Sequence, residues 1–239
     1  MSSTSEKGHA KNVANLKTLT TYLTSLQPNY NPTKTAITVA SLQTLFTGCT
    51  SSMDGIKIAQ PPYAAAVDAQ ELAFKPLSKL VTRVLNSYAT VVEDKQELQT
   101  AISLKNKITG TGPKPKKPEN PDADTVSGSK LSYDNRIDNL FALIKVLENN
   151  SNYKPNETDL QTGSLTTYAN ELKTKTEAVD AVSTPIINGR IVRNNILYAD
   201  KTGFIPETIN DVKSYIISVF GANSPQIKYI NTLKFKRII

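Results

Sequence analysis

One cysteine, one histidine and no tryptophan occur among 239 residues. Cys49 cannot close an internal disulfide, so nothing points to an oxidising compartment. His9 is the only histidine and lies in a polar N-terminal stretch, which argues against a Ser-His-Asp or Cys-His arrangement and against a histidine-rich metal site. The Gly-x-x-x-x-Gly-Lys phosphate loop is missing, as is a Gly-x-Gly-x-x-Gly turn after a strand. So are the Glu-x-x-His pairs of a di-metal carboxylate bundle. No run of about 18 apolar residues occurs, so no membrane span is expected. The residues before Asn12 lack the apolar region of a signal peptide. These absences lead to the expectation of a soluble, cytoplasmic protein that is not an enzyme, with no cofactor, no metal and no evident small-molecule substrate.

What is present is helical. Hydrophobic residues make up only 38% of the chain and glycine is scarce, which suits narrow apolar seams on long helices better than a thick core. A shift of 123 residues lays Asn29-Tyr30-Asn31-Pro32 on Asn152-Tyr153-Lys154-Pro155, Ser41-Leu42 on Ser164-Leu165, and Pro62 on Pro185. Between these marks Val39, Leu42, Phe46, Cys49, Met53 and Ile56 step by three and four along one helical face. The shifted positions are Thr162, Leu165, Ala169, Leu172, Thr176 and Val179. In the first half the seam continues in phase through Gln60, Tyr63, Val67, Gln70 and Phe74. This favours one long helix kinked at Pro62 in each half. The alternative is a break there, with Ser183 or Thr184 capping a fresh start at Pro185.

In chain order, residues 1–11 are expected to be a disordered tail. A first helix follows from about Asn12 to Gln27 on Leu16, Leu19, Leu23 and Leu26. The long helix opens at Pro32-Thr33, with Thr33 or Asn156 as cap and Asp159 in the first turn of the second copy. A third helix on Leu77, Leu80, Val81, Val84, Leu85 and Tyr88 extends through Leu98 and Ile102; its counterpart holds Ile209, Val212, Ile216, Ile217 and Phe220. Ser224-Pro225 starts a last short helix that carries Ile227 and Ile230 inward. The stretch 110–130, rich in proline, lysine and glycine, is a linker. The expected organisation is thus all-α: one helical bundle over 12–109 and a second over 131–239, each built on one long kinked helix.

Several of these motifs recur together: Asn-Tyr-x-Pro twice, Phe74 to Arg83, Ser132-Tyr-Asp-Asn-Arg136, Arg190 to Asn194 with Leu197-Tyr198, and Lys213 to Gly221 before Ser224-Pro225. The set resembles a family of uncharacterised, duplicated, basic helical proteins from bacterial genomes. That resemblance implies a bacterial, all-helical protein and supplies no activity.

The formal net charge is +7 and the isoelectric point near 9.3, a balance that favours anionic partners. No acidic residue follows Asp211, whereas Lys213, Lys228, Lys234, Lys236 and Arg237 do. Arg190 and Arg193 lie three apart on the second long helix, and Lys114, Lys116 and Lys117 cluster in the linker. Tyr215 and Tyr229 interleave with the C-terminal charges, a mixture suited to a phosphate backbone. Two functions follow as expectations. One is a structural or scaffolding protein meeting a protein partner, or its own copies, through its helical surfaces. The other is a nucleic-acid-associated protein that contacts phosphate through Arg190, Arg193, Lys213, Lys228, Lys234, Lys236 and Arg237. At least one of Arg190 and Arg193 is expected to bind an acidic residue such as Asp211 or Glu207, tying its helix to a neighbour. The carboxylates Glu93-Asp94 and Asp122-Asp124 read as solvated charge.

Overall fold

The computed structural model describes residues 4–111 and 131–238, with side chains from Lys7 onward. The chain is all-α, and no strand occurs among the described residues. Its contacts gather into two compact units. Unit 1 joins Met1–Pro61 to Ser183–Ile239, and unit 2 is Pro62–Val182. This differs from the expected division at 110–130, because each core draws on both halves of the sequence. The physical reason is the length of two helices, α2 (Val39–Phe74) and α6 (Thr162–Tyr198). The helix before each long helix packs on its first part, and the helix after it packs on its second part. Neither half can therefore close one core alone. The linker itself, with Lys114, Lys116, Lys117, Asp122 and Asp124, falls outside the described residues apart from its first two positions.

In unit 1, α1 (Thr4–Ser25) lays Val13, Leu16, Leu19 and Leu23 against Leu42 and Cys49 of α2 and Leu197 of α6. The expected tail over 1–11 is therefore corrected, since helix begins at Thr4 and His9 is buried. Between α1 and α2 the buried Tyr30 donates its hydroxyl to the Ile37 carbonyl at 2.6 Å, closing a 3-10 turn over Thr35–Ile37. This tie delays the helix, so α2 starts at Val39 instead of Pro32-Thr33. The Thr38 hydroxyl accepts from the Ser41 amide at 3.2 Å and takes the capping role. After α6, a π-helical turn at Phe204–Thr208 leads into α7 (Ile209–Phe220) and α8 (Pro225–Thr232). The Ser224 side chain caps α8 with proline at its first position, and Ile227 and Ile230 are buried.

In unit 2 the second part of α2 meets α3 (Leu77–Ala89), α4 (Lys95–Thr109), α5 (Tyr133–Asn149) and the first part of α6. Leu77, Val81, Val84 and Tyr88 form the buried face of α3 at helical spacing. The continuation of this helix through Leu98 is corrected. The chain leaves the helix after Ala89, and Asp94 caps α4 by accepting from the Gln96 amide at 2.7 Å. Gly110, in the left-handed region at φ 74°, closes α4 by bonding the Asn106 carbonyl. Ahead of α6, the Tyr153 hydroxyl donates to the Leu160 carbonyl at 2.9 Å over a 3-10 turn at Thr158–Leu160. Both members lie 123 residues after Tyr30 and Ile37. Asp159 precedes the helix and forms a two-pronged pair with Arg83 of α3.

Both long helices run unbroken through their prolines, Pro61-Pro62 in α2 and Pro185 in α6. Each such proline forfeits a backbone hydrogen bond, and these three side chains are exposed. Within unit 1 the helices run antiparallel at close range: a Cβ on Gly48 would lie 2.9 Å from Ile196, and one on Gly189 would lie 2.7 Å from Ile56. Within unit 2 they are also antiparallel, joined by the buried pair Gln70 Nε2 to Thr176 Oγ1 at 3.0 Å and by the Tyr168 hydroxyl on the Ala73 carbonyl at 2.6 Å. The seam positions Gln60 and Tyr63 are corrected: both are exposed, whereas Gln70 and Phe74 are buried. An unbroken 3.6-residue helix drifts out of a strict three-and-four phase, which is one reason the extrapolated seam does not hold over that length.

The glycines of α2 and α6 separate packing from propensity. Gly189→Ala should destabilise the fold by about 1–3 kcal/mol, because the added methyl meets Ile56 and, at 3.2 Å, the Ser52 carbonyl. Gly55→Ala meets nothing within 4 Å and should stabilise by about 0.5–1 kcal/mol. Urea unfolding of both variants against the parent measures the difference and its opposite signs.

Candidate anion-binding surface

Every basic residue singled out from the sequence as a contact lies in unit 1. So does the whole of the charge imbalance. Unit 1 carries thirteen Lys/Arg against five Asp/Glu, a net of +8, and the rest of the chain, counted by sequence with the linker included, carries fifteen against sixteen, a net of −1. The excess that composition spread over the chain is thus concentrated by the fold.

Residues 233–238 follow α8 as an extended strap along α1. Leu233, Phe235 and Ile238 pack toward the core, and Phe235 meets Phe204 edge-on at 5.0 Å. Alternation along an extended chain leaves Lys234 and Lys236 exposed. Lys7 and Lys11 of α1 are exposed as well, four apart on the helix and each next in sequence to a residue touching the strap, Gly8 or Asn12. Sequence reasoning passed over this lysine pair because it assigned residues 1–11 to a tail. Lys228 is exposed on α8 and Arg190 on α6, while Lys213 is half-buried on α7. Arg237 is exposed and pairs with Asp200 at 3.0 Å. Of the two tyrosines, Tyr215 is half-buried edge-on against Tyr30 at 5.2 Å. Tyr229 stays 40% exposed beside Tyr22.

Arg193 leaves the surface set. It is 2% exposed, among the largest buried side chains in the protein, and its Nε and Nη2 each donate to Asn194 Oδ1 at 3.1 Å. Asp211, one of the two acidic partners named for the arginine pair, forms an ion pair with Lys34 at 2.6 Å. The signal that could mark Arg193 as inward is the 123-residue shift: Arg193 stands 123 residues after Gln70, and Gln70 is buried. The guanidinium lies near Cys49, whose thiol is pushed up to about 11, chiefly by burial, with the Arg193 charge opposing the rise.

Unit 2 carries an open groove of about 620 Å³ lined by Asp68, Glu71, Phe74, Lys75, Tyr133 and Arg136. Arg136 is committed there, donating to the Ile108 carbonyl at 3.1 Å and lying over the Phe74 ring. Among the described residues no three of His, Cys, Asp and Glu come together as metal ligands. Comparison with protein-family models, with curated proteins and with solved structures finds no match.

The two arginines should respond differently to truncation. Arg193→Ala is expected to destabilise the protein by more than about 2 kcal/mol and Arg190→Ala by no more than about 0.5 kcal/mol, read from urea midpoints. Cys49 gives a pH signature. Its raised pKa favours the protonated thiol in the fold, so the stability it contributes is full below the unfolded value of 9.0 and is lost as pH climbs toward 11. Cys49→Ala should flatten the loss of stability between pH 9 and 11, measured by thermal melts across that range.

Proposed function

We propose that this protein is a non-enzymatic helical binding protein whose unit 1 engages an anionic macromolecule, foremost the phosphate backbone of nucleic acid. The observation that carries this reading is the charge partition: +8 on unit 1 against −1 on the rest of the chain. Exposed Lys228, Lys234 and Lys236 form the core of the contact surface, with Lys7 and Lys11 beside the strap. Such contacts position a polyanion without reading sequence, and their strength falls steeply with salt.

The architecture belongs to the same proposal. Two related halves, descended from an internal duplication as in the helical proteins the motifs resemble, exchange parts so that each unit is a bundle built from both. The paired 3-10 turns and the Tyr30 and Tyr153 hydroxyl bonds support this reading. A scaffolding role toward a protein partner is the second reading, and it rests on exposed apolar side chains of the long helices: Ile58 at 76% and Leu72 at 70%, with Ile187 and Ile191 at 51% each.

The test is fluorescence anisotropy with generic single-stranded and duplex DNA at low salt, using nuclease-treated protein. The parent should bind, with a log K against log salt plot that steepens by about 0.7–0.9 per phosphate contacted. Lys228→Glu, Lys234→Glu and Lys236→Glu together should cut affinity at least about tenfold and flatten that slope, while Lys173→Glu in unit 2 should leave both unchanged. A parent that does not bind, or a triple variant that binds equally well, refutes the nucleic-acid reading.

A further inference from the structure

The contact between α1 and the strap has the form of peptide recognition. Asn12 Nδ2 donates to the Lys236 carbonyl at 2.7 Å and Asn12 Oδ1 accepts from the Lys236 amide at 3.1 Å. One side-chain amide thus satisfies both backbone groups of one residue, as a neighbouring strand would. Asn15 repeats the gesture on the Lys234 carbonyl at 2.8 Å. At the far end, the missing side chain of Gly8 makes room for Ile238, since a Cβ there would sit 2.9 Å from its Cδ1. Phe204 supplies the apolar wall for Phe235.

The orientation of the Asn12 amide is fixed from behind. Its Nδ2 also donates to the Tyr198 hydroxyl at 2.9 Å, and that oxygen lies 2.7 Å from His9 Nδ1. Asn12 is only 2% exposed. An empty groove would leave a largely buried amide short of its partners, which costs about 1–3 kcal/mol. The groove therefore favours an extended backbone at all times. None of these hydrogen bonds identifies the molecule the backbone comes from. Sequence enters only through apolar residues at the positions of Leu233, Phe235 and Ile238.

From this geometry we infer that the α1 face bearing Gly8, Asn12 and Asn15 is a binding site for an extended peptide segment, and that its partner in trans is the 233–238 strap of a second copy of this chain. Every copy carries both the groove and a segment that fits it, so exchange replaces each lost contact with an identical one. The protein's own strap competes at an effective concentration of about millimolar, so exchange grows with protein concentration. This inference stands apart from the nucleic-acid reading, because it uses the backbone of the lysine residues and not their charges.

Complementation separates groove from strap. Gly8→Leu closes the groove where Ile238 sits and suits a helix. Phe235→Ala with Lys236→Pro spoils the strap while keeping it extended. Each variant alone should sediment as a monomer at tens of micromolar. Mixed, they should form a 1:1 complex, the intact strap of one seated in the intact groove of the other. Folded variants that do not associate on mixing overturn the proposal. If either variant fails to fold, the unmodified chain decides: a millimolar mixture of isotopically labelled and unlabelled copies should show intermolecular Phe204–Phe235 cross-peaks by NMR. Their absence overturns the proposal equally.

Discussion

The fold depends on one pairing, that of α2 with α6. Each of these helices buries a narrow seam, and the helices of its own half cover only part of it. In unit 1 the pair is drawn close by glycines, with Gly48 facing Ile196 and Gly189 facing Ile56. In unit 2 the same two helices are joined by the Gln70–Thr176 hydrogen bond and by the Tyr168 hydroxyl on the Ala73 carbonyl, with Leu165, Ala169 and Leu172 of α6 buried in that unit's core. Close approach without side-chain bulk yields many small dispersion contacts, and a polar pair fully satisfied in the seam specifies register more than it adds stability. Once the pair is set, α1, α7 and α8 complete one core, and α3, α4 and α5 complete the other.

That arrangement also sorts charge. The acidic residues of the second half fall mainly on α5 and the first part of α6, which belong to unit 2. The acid-poor stretch after Asp211 joins α1 in unit 1. A net charge that would be diffuse along an extended chain is therefore concentrated in one unit, where it raises the local potential toward polyanions. The strap contributes by alternation. Holding Leu233, Phe235 and Ile238 inward obliges Lys234 and Lys236 outward, and the asparagines of α1 grip only its backbone. Core packing and surface charge are here two faces of one extended segment.

Much of the helical content was legible in the sequence. Of the stripe read on α3, Leu77, Val81, Val84 and Tyr88 are buried and Leu80 and Leu85 half-buried; of that on α7, Ile209, Val212 and Ile216 are buried while Ile217 is exposed, and Ser224-Pro225 announced α8. The misreadings share a cause, which is that a polar residue buried by a distant partner looks like a surface residue locally. The Ser-, Thr-, Lys- and Gly-rich start of α1 read as a tail, because Gly8 and His9 meet Ile238 and Tyr198, which lie far along the chain. The start of α2 was placed too early because nothing local reveals that Tyr30 will bind the Ile37 carbonyl. Arg193 read as a surface cation although the 123-residue shift already paired it with Gln70. The candidate surface was legible only in its C-terminal lysines; Lys7 and Lys11 joined it only once α1 was seen to carry the strap.

The central claim is that each core is built from both halves of the chain, and cutting the chain between them tests it most directly. A protease site placed within residues 113–128 would yield fragments ending and beginning near the described residues 111 and 131. If the cores are shared, the cleaved halves will stay together through size exclusion and melt in step, and neither will fold when expressed alone. Halves that separate after cleavage, each folded and melting cooperatively by itself, would contradict the account.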